Sequence, residues 1–253
     1  MKGALVTGAG LRIGRALALA LAADGFFVFV HYKASAAGAK ETVATIRAAG
    51  GKAMAVRADL ASGRQAEGLV GKCRARGVRL TCLVNSASLF KLDRAPTATA
   101  ADFDLHMAIN LRAPLLLAQA LARQLPADET GLVVNVLDQK LYNLNPDFLT
   151  YTLSKIGLQG LTTLLAQSFA PRLRVAGIAP GLTLRSGSQT DARFAEQHAA
   201  NPLGVGVTVE DLVRALRFIV ATPSYTGDTI IVDSGEHLTG RPRDIAFDLK
   251  KKK

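Results

Sequence analysis

The chain has 253 residues, 49% of them apolar and 20% charged, which allows a sizeable buried core and excludes a disordered chain. Its formal charge is +11, yet apart from Lys250 to Lys253 the basic residues are scattered, no aromatic residues interleave with them, and there is no Trp. That pattern argues against a specific nucleic-acid platform but suits an anionic small ligand. Cys73 and Cys82 form no CxxC pair and have no nearby His, so neither a disulfide framework nor a metal site is expected. No leader or membrane span is expected either: Gly3-Ala4-Leu5-Val6 already reads as a strand, and the apolar run 16–23 is cut by Asp24. These features predict a cytoplasmic protein with no membrane partner.

Strands are predicted at 4–6, 26–30, 53–56, 80–84, 132–137, 175–178 and 229–232. Between them lie helical patterns at 15–23, 35–49, 63–76, 99–124 (with Pro114 a kink or boundary), 149–170 and 208–221. Thr208 followed by Asp211 marks a helix start. A lid-like stretch covers 182–207. Continuous apolar strands alternating with helices predict an α/β fold: a Rossmann-like, doubly wound domain around a parallel sheet of about seven strands. Residues 1–249 read as one dinucleotide-binding and catalytic domain, and 250–253 as a basic tail.

The loop Thr7-Gly8-Ala9-Gly10-Leu11-Arg12-Ile13-Gly14 joins the first strand to the first helix. Glycines let the backbone approach a phosphate, and the helix start offers free N–H groups to a pyrophosphate. Gly8, Arg12, Ile13 and Gly14 are therefore candidate cofactor contacts. The second strand ends in His31-Tyr32-Lys33-Ala34-Ser35, without the acidic residue that suits the ribose of NAD. Lys33 and Ser35, helped by Arg12, favour a 2′-phosphate and predict NADP(H), and His31 and Tyr32 are further candidate cofactor contacts. Asp59 and Leu60 end the third strand, and Asn85, Ser86 and Ala87 the fourth. Strand C-termini are where open α/β sheets bind ligands.

Tyr151-Thr152-Leu153-Ser154-Lys155 places a phenol and an amine four residues apart on one helix face. The ammonium and an oxidised nicotinamide are expected to lower the phenol's pKa, giving a general acid for a reductive step, while Lys155 holds the cofactor ribose.

With these pieces in order, the sequence resembles the short-chain dehydrogenase/reductase family over essentially its whole length. The resemblance rests on 7–14, Asp59, Asn85-Ser86-Ala87, Asn110, Tyr151, Lys155 and Pro180-Gly181. It implies that Asn110 organises a water-linked proton relay and that Pro180 and Gly181 lie beside the nicotinamide. Arg12 stands where the family usually has glycine, and Ser86 where it has a second Asn. Asp138 stands where the catalytic serine is expected. An ionised Asp cannot donate to a carbonyl, which favours a substrate with N–H donors or a ring nitrogen to be protonated. Asp138, Arg12 and the His31–Ser35 segment resemble the pteridine reductase branch, although a basic residue is expected at Ala34 in some of its members. That resemblance implies substrate contacts from Arg12, Ser88, Phe90 (stacking on a flat ring), Asp138 and Tyr151, and catalysis by Asn110, Asp138, Tyr151 and Lys155. It implies NADPH-dependent reduction of a dihydropterin, dihydrofolate or biopterin. A ketone or acyl-thioester reductase is the enzymatic alternative, and a non-catalytic NADP(H)-binding sensor or scaffold the other. Family members usually associate through the helix bearing Tyr151 and Lys155, so a homotetramer or homodimer is implied.

Overall fold

The computed structural model describes residues 1–74, 77–185 and 189–247. The end of the predicted helix 63–76, part of the segment 182–207 and the tail 250–253 fall outside the described residues. Seven strands form one sheet: β1 Lys2–Val6, β2 Phe27–Tyr32, β3 Lys52–Arg57, β4 Arg79–Asn85, β5 Gly131–Val136, β6 Leu173–Pro180 and β7 Thr229–Val232. Their order is β3-β2-β1-β4-β5-β6-β7, and every neighbouring pair is parallel.

The helices are α1 Arg12–Ala23, α2 Ala36–Ala48, α3 Gly63–Arg74, α4 Ala100–Met107, α5 Ala113–Gln124, α6 Leu149–Phe169, α7 Asp191–His198 and α8 Val209–Ala221. Because side chains alternate along a strand, β1 feeds both faces of the sheet. Ala4 and Val6 pack with Leu17 and Leu21 of α1 and Leu212 and Leu216 of α8. Leu5 packs with Leu117 and Leu121 of α5 and Leu165 of α6. Both faces are therefore covered, as buried parallel strands require.

Three local features depart from the expected pattern. Helix α1 begins at Arg12, three residues before the predicted start, so the end of the glycine loop is its first turn. The run 99–124 is interrupted by a π-helical turn, Ala108–Arg112, between α4 and α5. Pro114, at the start of α5, has no N–H to give the carbonyl of Asn110 four residues earlier, which accounts for a break there. The segment 182–207 carries a helix of its own, α7, capped by Thr190.

The direction in which successive strands are added to the sheet reverses between β1 and β4. The connections that follow them leave in opposite directions, and a crevice opens at the C-terminal ends of the strands.

Candidate active site

That crevice is a cleft of about 1180 Å³, walled by residues from Gly8 to Phe247. At its nucleotide end the glycine loop is tightly specified. Gly8 has φ +66°, and a side chain there would meet Ala87 Cα at 2.9 Å. A side chain on Gly14 would lie 2.4 Å from the Gly8 carbonyl oxygen, so only glycine lets α1 approach the loop this closely. The Thr7 hydroxyl accepts the N–H groups of Ser86 and Ala87, both at 3.0 Å, joining the loops after β1 and β4.

His31 fastens the same loop. Its Nδ1 accepts from Gly8 N–H at 3.2 Å, so its Nε2 carries the proton and donates to the Ala58 carbonyl at 3.1 Å. Burial lowers its pKa to about 4, which keeps the ring neutral. Arg12 adopts a left-handed φ of +56° and reaches across the cleft, donating to the carbonyls of Leu184 and Arg185. Lys33 pairs with Asp59 at 2.9 Å. Burial pushes the Asp59 carboxyl up, but the bonds from Lys33 and the Ala61 N–H outweigh it and hold the carboxyl below its usual value. A glycine cradle, the first turn of α1, and a Lys and Ser in a loop after β2 that itself carries no acid fit a dinucleotide with an extra phosphate, Lys33 being held meanwhile by Asp59.

At the other end, Tyr151 Oη donates to Asp138 Oδ2 at 2.6 Å. Asp138 lies two residues beyond β5, capping the 3-10 turn Gln139–Tyr142, and Tyr151 sits in the first turn of α6. Burial, then the charge and hydrogen bond of Asp138, raise the Tyr151 pKa well above its ordinary value. Within the protein, burial and Asp138 thus act against the lowering expected from Lys155 and an oxidised nicotinamide. Burial also raises Asp138, against the pull of Tyr151, the Lys140 N–H and Lys155. Lys155 is lowered by burial to about 8 and donates to the Val136 carbonyl at 2.7 Å. Asn110, in the π-helical turn, accepts from Leu89 N–H at 2.8 Å and donates to the Leu89 carbonyl and Ser154 Oγ. Its amide therefore shapes the loop after β4 and makes no direct contact with Lys155.

A third wall comes from the chain's last described residues. Asp147 is fully buried and accepts from Arg94 Nε at 2.7 Å and Arg243 Nε at 2.7 Å. Lys140, itself buried, pairs with Asp244 at 3.0 Å. These ties place Phe247 against Phe148, which stacks on Phe90 with ring centroids 4.2 Å apart. Phe90 in turn meets the Tyr151 ring edge-on at 4.7 Å.

The family model described as short chain dehydrogenase matches residues 2–197. The chain belongs to the short-chain dehydrogenase/reductase family. Among solved structures of the family, it is 40% identical to FolM alternative dihydrofolate reductase 1 from Brucella suis in complex with NADP, with a TM-score of 0.90, covering 93% of this chain and 95% of that one. The Brucella canis protein, also complexed with NADP, is 39% identical over 93% of this chain and 94% of that one, with a TM-score of 0.87. A 3-oxoacyl-[acyl-carrier-protein] reductase from Synechocystis is 30% identical, covering 92% of this chain and 95% of that protein.

Within this family member, Gly8, Arg12, Ile13, Gly14, His31, Tyr32, Lys33, Ser35, Asp59, Leu60, Ser86, Ala87, Ser88, Phe90, Asp138, Tyr151, Lys155, Pro180 and Gly181 all line the one cleft. Asn85 and Asn110 stand behind the wall. Asn85 Nδ2 donates to Asn135 Oδ1 on the neighbouring strand at 2.8 Å. Sequence reasoning missed Glu236, Asp244 and Phe247, because no local motif marks them and long-range ion pairs bring their segment to the cleft.

Proposed function

We propose that this short-chain reductase uses NADPH to reduce a ring C=N of a pterin-type heterocycle, such as a dihydropterin or dihydrofolate. The observation that carries the reading is Asp138, bonded to Tyr151 where the family's serine is expected. A carboxyl there suits protonation of a ring nitrogen better than polarisation of a ketone. The likeness to the two FolM dihydrofolate reductases supports the same substrate class.

Gly8, Arg12, Ile13, Gly14, Lys33 and Ser35 would hold the nucleotide end of the cofactor, and Tyr151 and Lys155 its ribose. When bound, NADPH supplies the hydride. Tyr151, kept protonated by burial and by Asp138, delivers a proton to the nitrogen next to the carbon being reduced. Asp138, whose own affinity for a proton is raised, would take one up from solvent and pass it to the phenolate, restoring the acid. Asn110 serves by holding the loop that carries Phe90, and Phe90 offers an aromatic face to the ring. The buried thiols of Cys73 and Cys82, raised by burial to about 12, suit the reducing cytoplasm.

Asp138→Ala is expected to slow pterin turnover by roughly a hundredfold or more while NADPH affinity stays nearly constant. Steady-state absorbance of NADPH and a binding titration measure the two. Near-normal turnover would overturn the role. The likeness to a 3-oxoacyl reductase supports a second reading, in which a protonated Asp138 donates to a carbonyl. A panel of dihydropterins, dihydrofolate, ketones and acyl thioesters separates the two readings.

A further inference from the structure

Three carboxyl groups line the catalytic end of the cleft: Asp138, Glu236 and Asp244. Two are committed within the protein. Asp138 is bonded to Tyr151 and to the Lys140 N–H, the latter at 2.9 Å. Asp244 pairs with Lys140 Nζ and accepts the Ala246 N–H, both at 3.0 Å. Glu236 differs. It is 4% exposed, and its side chain's one hydrogen bond among the described residues is a long one, 3.3 Å from the Leu182 N–H to Oε2. Among these residues no ion pair reaches it, and Oε1 has no partner.

The carboxyl is also held firmly in place. It sits on the 3-10 turn Glu236–Thr239 that follows β7. Asp233 ties this turn by accepting from the N–H groups of Gly235 and His237, at 2.9 and 2.7 Å. Gly181 leaves room for it, since a side chain there would come within 3.1 Å of Glu236 Oε2. Burial drives its pKa up to about 7, helped by the charges of Asp138 and Asp244 and opposed by the Leu182 N–H and the charge of Arg241. A carboxyl so placed costs free energy that one weak N–H bond does not return.

We propose that Glu236 is a specificity-determining residue of the cleft, whose carboxylate receives paired N–H donors from the substrate, as presented by an amidine or by a ring nitrogen and its neighbouring amino group. This rests on reading the cleft as a site for a reducible nitrogen heterocycle. A carboxylate has acceptor capacity for a two-pronged contact even while Oε2 keeps Leu182. A ketone or acyl thioester offers no such donors and leaves the buried acid unpaired, so Glu236 works against those substrates as well as for the heterocycle.

The test uses the NADP⁺-saturated protein and 2,4-diaminopyrimidine, a probe that carries the donor edge, titrated by calorimetry. Glu236→Gln keeps an oxygen for the Leu182 N–H but removes the charge and one acceptor. It is expected to weaken the probe roughly ten- to a hundredfold, the worth of a charge-assisted contact. Glu236→Asp, which draws the carboxyl back by one methylene, is expected to weaken it about fivefold or more. In turnover, the preference for a 2-amino dihydropterin over its 2-desamino analogue should appear in KM and collapse in Glu236→Gln. Equal probe affinity in the wild type and both variants, or no binding to the wild type, would overturn the proposal. If no pterin is turned over but probe binding still depends on Glu236, the ring C=N reading fails and this one stands. If pterin is turned over with the same KM by wild type and Glu236→Gln, this one fails and the ring C=N reading stands.

Discussion

Tyr151 donates to Asp138 across 2.6 Å, and burial raises the proton affinity of both groups. The residue types and their spacing were legible in the sequence; the sign of the phenol's shift was not. Four-residue spacing predicts that Lys155 lies near Tyr151, but it cannot show that a carboxylate lies nearer still, and Lys155 Nζ is 5.8 Å from the centre of the Tyr151 ring. Lys33 is similar. Its place after β2 was readable, while its pairing with Asp59 required the sheet to bring β2 beside β3. Lys33→Glu puts a second acid beside Asp59 and in the path of a 2′-phosphate. It is expected to lower kcat/KM for NADPH about tenfold or more and leave that for NADH almost unchanged, as initial rates with each cofactor would show. An unaltered ratio would remove Lys33 from cofactor choice.

The segment between β7 and Phe247 behaves as an element although its one regular piece among the described residues is the 3-10 turn Glu236–Thr239. Its anchor is Asp147, to which Arg94 and Arg243 converge from 53 and 96 positions away in sequence. No periodicity or short motif encodes such a contact, which is why this wall of the cleft was invisible in the sequence while the strands and helices were not. Burial pushes the Asp147 carboxyl up, but the bonds from Arg243, Asp244 N–H and Arg94 win and hold it at about 2, below the ordinary value of 3.8. Its folded pKa lies below its unfolded one, so the stabilisation is present above pH 3.8 and is lost as pH falls through about 2. Asp147→Asn should cost roughly 2–3 kcal/mol in urea unfolding at neutral pH and flatten this acid limb. A loss well below 1 kcal/mol would show the anchor to be dispensable. The π-helical turn belongs to the same scale: Pro114 announced a break, but the widened backbone around Asn110 depends on α4 and α6 packing beside it.

For the whole molecule, the parallel sheet was readable because its strands are short, apolar and separated by helical patterns, and right-handed crossovers leave few ways to connect them. Association with further copies was implied only by resemblance. Leu153, Ile156 and Leu164 on α6 are 39%, 40% and 60% exposed, and Phe103 and Leu105 on α4 are 40% and 38% exposed. Contact between copies would cover such a surface. Light scattering should therefore find two or four copies for the wild type and fewer for Ile156→Asp. A wild type that stays single at high micromolar concentration would end that expectation.

The ion-paired segment ending at Phe247 also bears on how the protein can be handled. The strands' N-terminal ends, where β1 begins at Lys2, lie at the edge of the sheet opposite the cleft. A resin, surface or fusion partner joined before Lys2 pulls on a part of the sheet remote from the chemistry. The same attachment beyond Phe247 pulls on the ring that backs Phe148 and Phe90, and through them on the phenol of Tyr151.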